Sequence, residues 1–188
     1  AELLPQLCRN FILHGYRRRM KAQENIAPGT LLENGEIVVA NGKAVDILVV
    51  EDNDSQRASI VDGLENSIPD VVVVAVRDGE EALDFLFSRG AWTDRLGEDG
   101  PKLILMDLAL PGSDGCSILG RIRSFDAQEA LTLTPVVIFS DSQATGDISK
   151  SYRCGANSYI IKPLSFPDFQ KVVETVGQYW MTHNRVTA

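Results

Sequence analysis

The stretch Lys102-Leu-Ile-Leu-Met-Asp107-Leu-Ala-Leu-Pro-Gly-Ser-Asp-Gly115 decides the fold. An apolar run ends in a lone carboxylate, and a Pro/Gly loop follows. That pattern predicts a buried strand with Asp107 presented at the edge of a sheet. Three other runs end in the same manner. Asp46-Ile-Leu-Val-Val stops at Glu51-Asp52, Pro135-Val-Val-Ile-Phe stops at Ser140, and Asn157-Ser-Tyr-Ile-Ile stops at Lys162-Pro163. In an open parallel sheet, ligands bind outside the carboxyl ends of the strands. Four strands would therefore bring three acids, a hydroxyl and an ammonium to one place.

Working outward from these runs, strand and helix patterns alternate from Asp46 onward. Strands are expected near 46–51, 70–76, 102–107, 135–140 and 157–162, and helices near 54–67, 79–88, 114–125, 143–154 and 166–181. Alternating strand and helix with nearly continuous Val/Ile/Leu strands predicts a parallel sheet covered on both faces. The last helix has the plainest pattern. Ser165 and Asp168 suit a capping box, and Phe166, Phe169, Val173, Val176 and Trp180 fall on one face. Residues 88–101 read as a polar, Gly-rich insertion before the third strand.

Residues 1–44 differ in texture, which divides the chain into an extension, 1–44, and a main domain, 45–188. Leu4, Leu7, Cys8, Phe11, Ile12, Tyr16 and Met20 recur near helical spacing, so residues 2–21 read as an amphipathic helix. Pro28-Gly29 breaks that pattern, and Asn34-Gly35 suggests a hairpin over residues 31–39.

Bulk properties narrow the function. The chain has 188 residues and a formal charge of -8, with a pI near 4.8. An acidic protein is a poor general nucleic-acid binder. The charge is uneven: residues 1–44 carry six Lys/Arg against four Asp/Glu, and the remainder twelve against twenty-two. Arg17-Arg18-Arg19 with Lys21 could contact nucleic acid, anionic lipid or an acidic partner, and the reading favoured is a helix packed on the acidic main domain or on a second subunit rather than on DNA. Cys8, Cys116 and Cys154 are an odd, scattered set without metal-like spacing, which suggests reduced thiols in the cytoplasm. No run approaches the roughly 18 apolar residues of a membrane span, and the N-terminus lacks a signal-peptide pattern.

The order of the motifs carries a resemblance. Residues 45–181 resemble a response-regulator receiver domain of a two-component system, through Leu-Val-Val-Glu51-Asp52-Asn, Leu-Met-Asp107-Leu-Ala-Leu-Pro-Gly-Ser-Asp-Gly, Ile-Phe-Ser140 and Tyr159-Ile-Ile-Lys162-Pro163. The resemblance implies a doubly wound, flavodoxin-like sheet of five parallel strands in the order 2-1-3-4-5. It implies that Asp107 is phosphorylated by a histidine kinase or a phosphotransfer protein. It implies Mg²⁺ held by Asp52, Asp107 and the backbone carbonyl of Ala109, with Glu51 acting through water. Lys162, Ser140 and the switch aromatic Tyr159 would complete the site. The long 88–101 loop and Gly177-Gln-Tyr-Trp180 are similar to single-domain regulators that partner bacterial phytochromes and form homodimers through helix 4, strand 5 and helix 5. Only eight residues follow Trp180, so no output domain is expected downstream.

Other readings stay open at this stage. Asp107 and the Glu51-Asp52 pair could serve the helices that follow them, as a cap or as charges at a helix N-terminus. Ser140 could be a strand-end hydroxyl, Tyr159 a packed aromatic and Lys162 a solvated lysine. A Mg²⁺-dependent phosphatase of the haloacid-dehalogenase type also uses an Asp nucleophile, but it needs an acid two residues later, where this chain has Ala109. A pseudo-receiver that only binds partners is the third class, though Asp107 and Lys162 are both present. Asp141 departs from the resemblance: a carboxylate beside Ser140 would repel an incoming phosphodonor unless it points to solvent.

Overall fold

In the computed structural model, the described residues are 44–95, 100–125 and 129–185. The expected helix over 2–21 and hairpin over 31–39 lie outside them. Five strands form one parallel sheet: β1 (Ile47–Val50), β2 (Val73–Val76), β3 (Leu103–Met106), β4 (Val136–Ser140) and β5 (Ser158–Ile161). Their order is β2-β1-β3-β4-β5, the one the resemblance implies. Helices α1 (Asp54–Ser67), α2 (Gly79–Leu86), α3 (Gly115–Arg123), α4 (Thr145–Arg153) and α5 (Phe166–Gln178) connect and follow the strands.

The period-two geometry of a strand sorts these apolar residues to two faces. Leu48, Val50, Val74, Val76, Ile104, Met106 and Ile138 face a core completed by Leu83 and Phe85 of α2 and Ile118, Leu119 and Ile122 of α3. Ile47, Val49, Val73, Ala75, Leu105, Val137 and Phe139 face the other core, with Ile60, Val61 and Leu64 of α1 and Phe169, Val173 and Val176 of α5. Every residue of β1 to β4 is buried, whereas β5, at the sheet edge, is only partly covered. Each fully buried side chain of this size contributes about 1.5–3 kcal/mol, so the two cores fix which ends of the strands lie together. Of α4, only Ser151 is buried, making it the least embedded of the five helices.

Side-chain caps set the helix starts. Asn53 accepts from Ser55 and Gln56, Asp78 from Glu81, Asp114 from Cys116 and Ser165 from Asp168. The Ser165 hydroxyl also donates to the Asp168 carboxylate at 2.6 Å. Asp107 therefore caps no helix, and the cap of α1 is Asn53 rather than either acid of the preceding pair.

Several expectations need correction. Phe166 is 64% exposed and lies off the buried stripe of α5. The insertion after α2 is not merely a polar loop. Gly90–Arg95 form a 3₁₀ turn, Trp92 packs edge-on against Phe85 at 5.0 Å, and the Arg95 guanidinium lies 3.7 Å from the same ring's centre. A short helix, Glu129–Leu133, precedes β4, and α5 runs into a π-helical turn over Tyr179–His183.

Candidate functional site

The register of the sheet brings the strand-end residues level. Val50 pairs with Met106, so Glu51 and Asp107 emerge side by side, with the Asp107 N–H on the Val50 carbonyl at 2.9 Å. Ile161 pairs with Ser140, and the Lys162 N–H donates to the Ser140 carbonyl at 2.9 Å. Lys162 then turns inward. Its ammonium donates to Glu51 Oε2 and to Asp107 Oδ2, both at 2.7 Å. All three residues are buried, so neither Asp107 nor Lys162 is a solvated surface group.

Buried charges are costly unless paired, and this trio is paired. Burial acts against the Lys162 charge, but hydrogen bonds to Asp107 and Glu51 outweigh it and hold the ammonium above the usual lysine range. Lys162 is therefore a full cation at neutral pH. Burial pushes the Glu51 carboxyl above its usual range despite the opposing pull of Lys162, and the charge of Asp107 adds to the rise.

Glu51, Asp52 and Asp107 each present an oxygen within 4.8 Å of the others, an arrangement able to hold a metal ion. Glu51 has both oxygens engaged, Oε2 by Lys162 and Oε1 by the Asn53 N–H at 3.2 Å. Asp52 is exposed, and among the described residues nothing donates to its carboxylate. Asp107 Oδ1 accepts from the Ala109 N–H at 3.2 Å.

The loop after Asp107 folds back on itself. Ala109 pairs with Asp114 and Leu110 with Ser113 across Pro111-Gly112, Gly112 taking φ +69°, where a side chain would be strained. Gly115 then passes beneath the site: a Cβ there would meet the Leu108 and Asp107 carbonyl oxygens at 3.0 and 3.1 Å. Beside this loop lies a cleft of about 310 Å³. Asp107, Leu108 and Ala109 line one side, Ser140, Asp141 and Ser142 another, and Asp114, Asp147 and Lys150 the mouth. Ser140 is 2% exposed, and its hydroxyl oxygen accepts from the Ser142 N–H at 3.4 Å. The Tyr159 hydroxyl donates to the Ser142 carbonyl at 2.9 Å, tying β5 to the loop after β4. Asp141 borders the cleft, although its side chain is exposed.

Thus Glu51, Asp52, Asp107 and Lys162 converge, Ala109 lies beside Asp107, Ser140 lines the same cleft, and Tyr159 reaches the adjoining loop. Two features escaped the sequence reading. The Asp114–Lys150 ion pair at the mouth joins residues far apart in the chain and left no local signal. Arg57 left one: it occupies the stripe Arg57, Ile60, Val61, Leu64, where every other residue is apolar and buried.

The comparisons agree with this geometry. The family described as response regulator receiver domain matches residues 47–174. The probable methanogenesis regulatory protein FilR2 of Methanothrix harundinacea is 35% identical over 158 residues, covering 82% of this chain and 94% of that protein. The structure of the phosphorylated cyanobacterial phytochrome response regulator RcpA is similar with a TM-score of 0.69 and 32% identity, covering 78% of this chain and 100% of that one. The Mn²⁺-bound form of the response regulator Rcp1 follows with a TM-score of 0.68 and 30% identity, covering 77% and 99%. Strand order, strand-end chemistry and these similarities converge, and the chain belongs to the response-regulator receiver-domain family.

Proposed function

We propose that Asp107 accepts a phosphoryl group from the phosphohistidine of a sensor kinase or phosphotransfer protein, and that the phosphorylated chain signals through a changed binding surface. The observation that carries this reading is the Lys162 ammonium at 2.7 Å from both Glu51 and Asp107, beside the exposed Asp52 carboxylate. An Asp107 oxygen attacks phosphorus, the nitrogen–phosphorus bond breaks and an acyl phosphate forms. Lys162 holds one Asp107 oxygen and carries fixed positive charge where the phosphoryl oxygens arrive.

A hard divalent cation fits the donor set, because all three side chains offer carboxylate oxygens and Asp52 is open to solvent. Asp52, Asp107 and the Ala109 carbonyl would hold Mg²⁺, with Glu51 acting through water, the division of roles that membership of the family implies. When bound, the ion would neutralise charge on the transferred group. The Mn²⁺-bound form of Rcp1 supports this reading.

Ser140 would donate its hydroxyl to a phosphoryl oxygen, and Tyr159, tied to Ser142 one loop away, would report that movement. The phosphoryl adds about -1.5 to -2 charges, enough to repartition contacts at the cleft mouth. Phosphorylated RcpA is described as a phytochrome response regulator, which supports a photoreceptor kinase as donor. The exposed Tyr152, Ile161 and Tyr179 support a homodimer through α4, β5 and the end of α5. No helix of the described residues is long and apolar enough to cross a membrane, and a cytoplasmic protein is the reading we adopt. Residues 1–44 are proposed as a separate extension that docks on protein rather than DNA. Incubation with a panel of phosphorylated histidine kinases tests the central reading: a hydroxylamine-labile phosphoryl group should appear on Asp107.

A further inference from the structure

We infer that Arg57 is a positioning residue for the turn that presents Glu51 and Asp52; this rests on the reading of the acidic cluster as a cation site. The Arg57 side chain is 2% exposed. A guanidinium so placed is costly unless its donors are met. Among the described residues, its side-chain partners are the turn after β1 and the first residue of α1. Nη1 donates to the Glu51 carbonyl at 2.9 Å and reaches the Asp52 carbonyl at 3.5 Å, and Nη2 binds the Asp54 carboxylate. Nη1 therefore meets the backbone carbonyls of both acids that follow β1 while Nη2 is held on Asp54, a two-pronged grip that an ammonium reproduces only in part.

The two acids depend on that fork unequally. The Glu51 carboxylate is fixed directly, by Lys162 and by the Asn53 N–H. The Asp52 carboxylate takes no hydrogen bond from the described residues, so its direction follows from where its backbone is held. Asn53 secures the downstream side of the turn by capping α1, accepting from Ser55 and Gln56 at 3.1 and 3.0 Å. Arg57 secures the upstream side. Losing it would free Asp52 to rotate from the direction shared with Glu51 and Asp107.

The test is Mn²⁺ binding by the full chain, followed through loss of the free-ion paramagnetic resonance signal, on wild type, Arg57→Met, Arg57→Lys and Asp54→Ala. Supporting groups outside the ligand set typically change metal affinity by about 10–100-fold. Arg57→Met should weaken Mn²⁺ by about that factor in protein that remains folded, and Arg57→Lys should restore part of the loss. Asp54 is largely exposed and only steadies the outer edge of the fork, so Asp54→Ala should keep the fold and weaken binding by about threefold. Unchanged Mn²⁺ affinity in folded Arg57→Met would make the residue purely structural and overturn the inference. Tighter binding in that variant would also overturn it, since repulsion between guanidinium and metal would then dominate. Should neither Arg57 variant fold, unchanged affinity in Asp54→Ala overturns it. Absence of Mn²⁺ binding by wild type would instead remove the cation reading, and the inference with it.

Discussion

Replacing Lys162 with Met removes the charge and keeps the stem, and its cost can be worked from the contacts. The ammonium makes two hydrogen bonds of 2.7 Å to carboxylates, and the side chains involved are 2–8% exposed. A hydrogen bond to a charged group contributes about 1.5–3 kcal/mol, so two give about 3–6. Breaking a buried ion pair from one side costs about 3–5 kcal/mol by a separate route. The variant should therefore lose about 4 kcal/mol at pH 7, read by urea unfolding in the absence of divalent ions. The pH dependence has a definite sign. Lys162 has a folded pKa above its unfolded value, so its contribution is fully present below the unfolded value near 10.5 and fades as pH rises through the folded one. The Glu51 carboxyl is also raised, so its ionisation costs stability as pH rises above the ordinary value of 4.5. Without Lys162 that second cost grows, and lowering the pH from 7 to 5 should recover part of the loss. A loss under about 1 kcal/mol, the range of an exposed ion pair, would refute the reasoning. So would a variant whose stability is indifferent to pH across that interval.

Two further outcomes follow from the cleft and its neighbourhood. Asp141→Ala should speed labelling by acetyl phosphate several-fold at low salt, and the gain should shrink with ionic strength because the Asp141 side chain is exposed and its field is screened; equal rates for variant and wild type at low salt would count against its role as an electrostatic barrier. Burial, reinforced by the adjacent Cys154 thiol, pushes the Cys116 thiol up to about 11. At pH 8 iodoacetamide should therefore modify Cys154 well before Cys116, an order that peptide mass mapping would check, with Cys116 becoming reactive only in strongly alkaline solution.

Much of the fold was legible because strands announce themselves by β-branched runs and because such runs end where polarity begins. Glu51, Asp52, Asp107, Ser140 and Lys162 could be placed at strand ends for that reason. The register that makes Val50 level with Met106 was implied only by the fold class. Phe166 shows one limit: periodicity put it on the stripe with Phe169 and Val173, but it is the first residue of α5 and stays 64% exposed, whereas Phe169 is buried against Phe139. Trp92 and Arg95 show another, since a short polar segment can still turn an aromatic and a guanidinium onto a core residue, Phe85. Arg57 stands in the helical pattern of α1 without a motif to single it out. An arginine in an apolar helical stripe signals buried acceptors close by, and here they are the carbonyls of the acidic turn.

Phosphoryl transfer to Asp107 tests the central claim most directly. Wild type and Asp107→Asn, matched for folding by circular dichroism and thermal unfolding, would be incubated with phosphorylated histidine kinases and analysed by peptide mass mapping after trapping. Wild type should gain one hydroxylamine-labile phosphoryl group, confined to the peptide holding Asp107, and the folded variant should gain none. Labelling retained by Asp107→Asn, or a wild type that no phosphohistidine donor labels, would contradict the account.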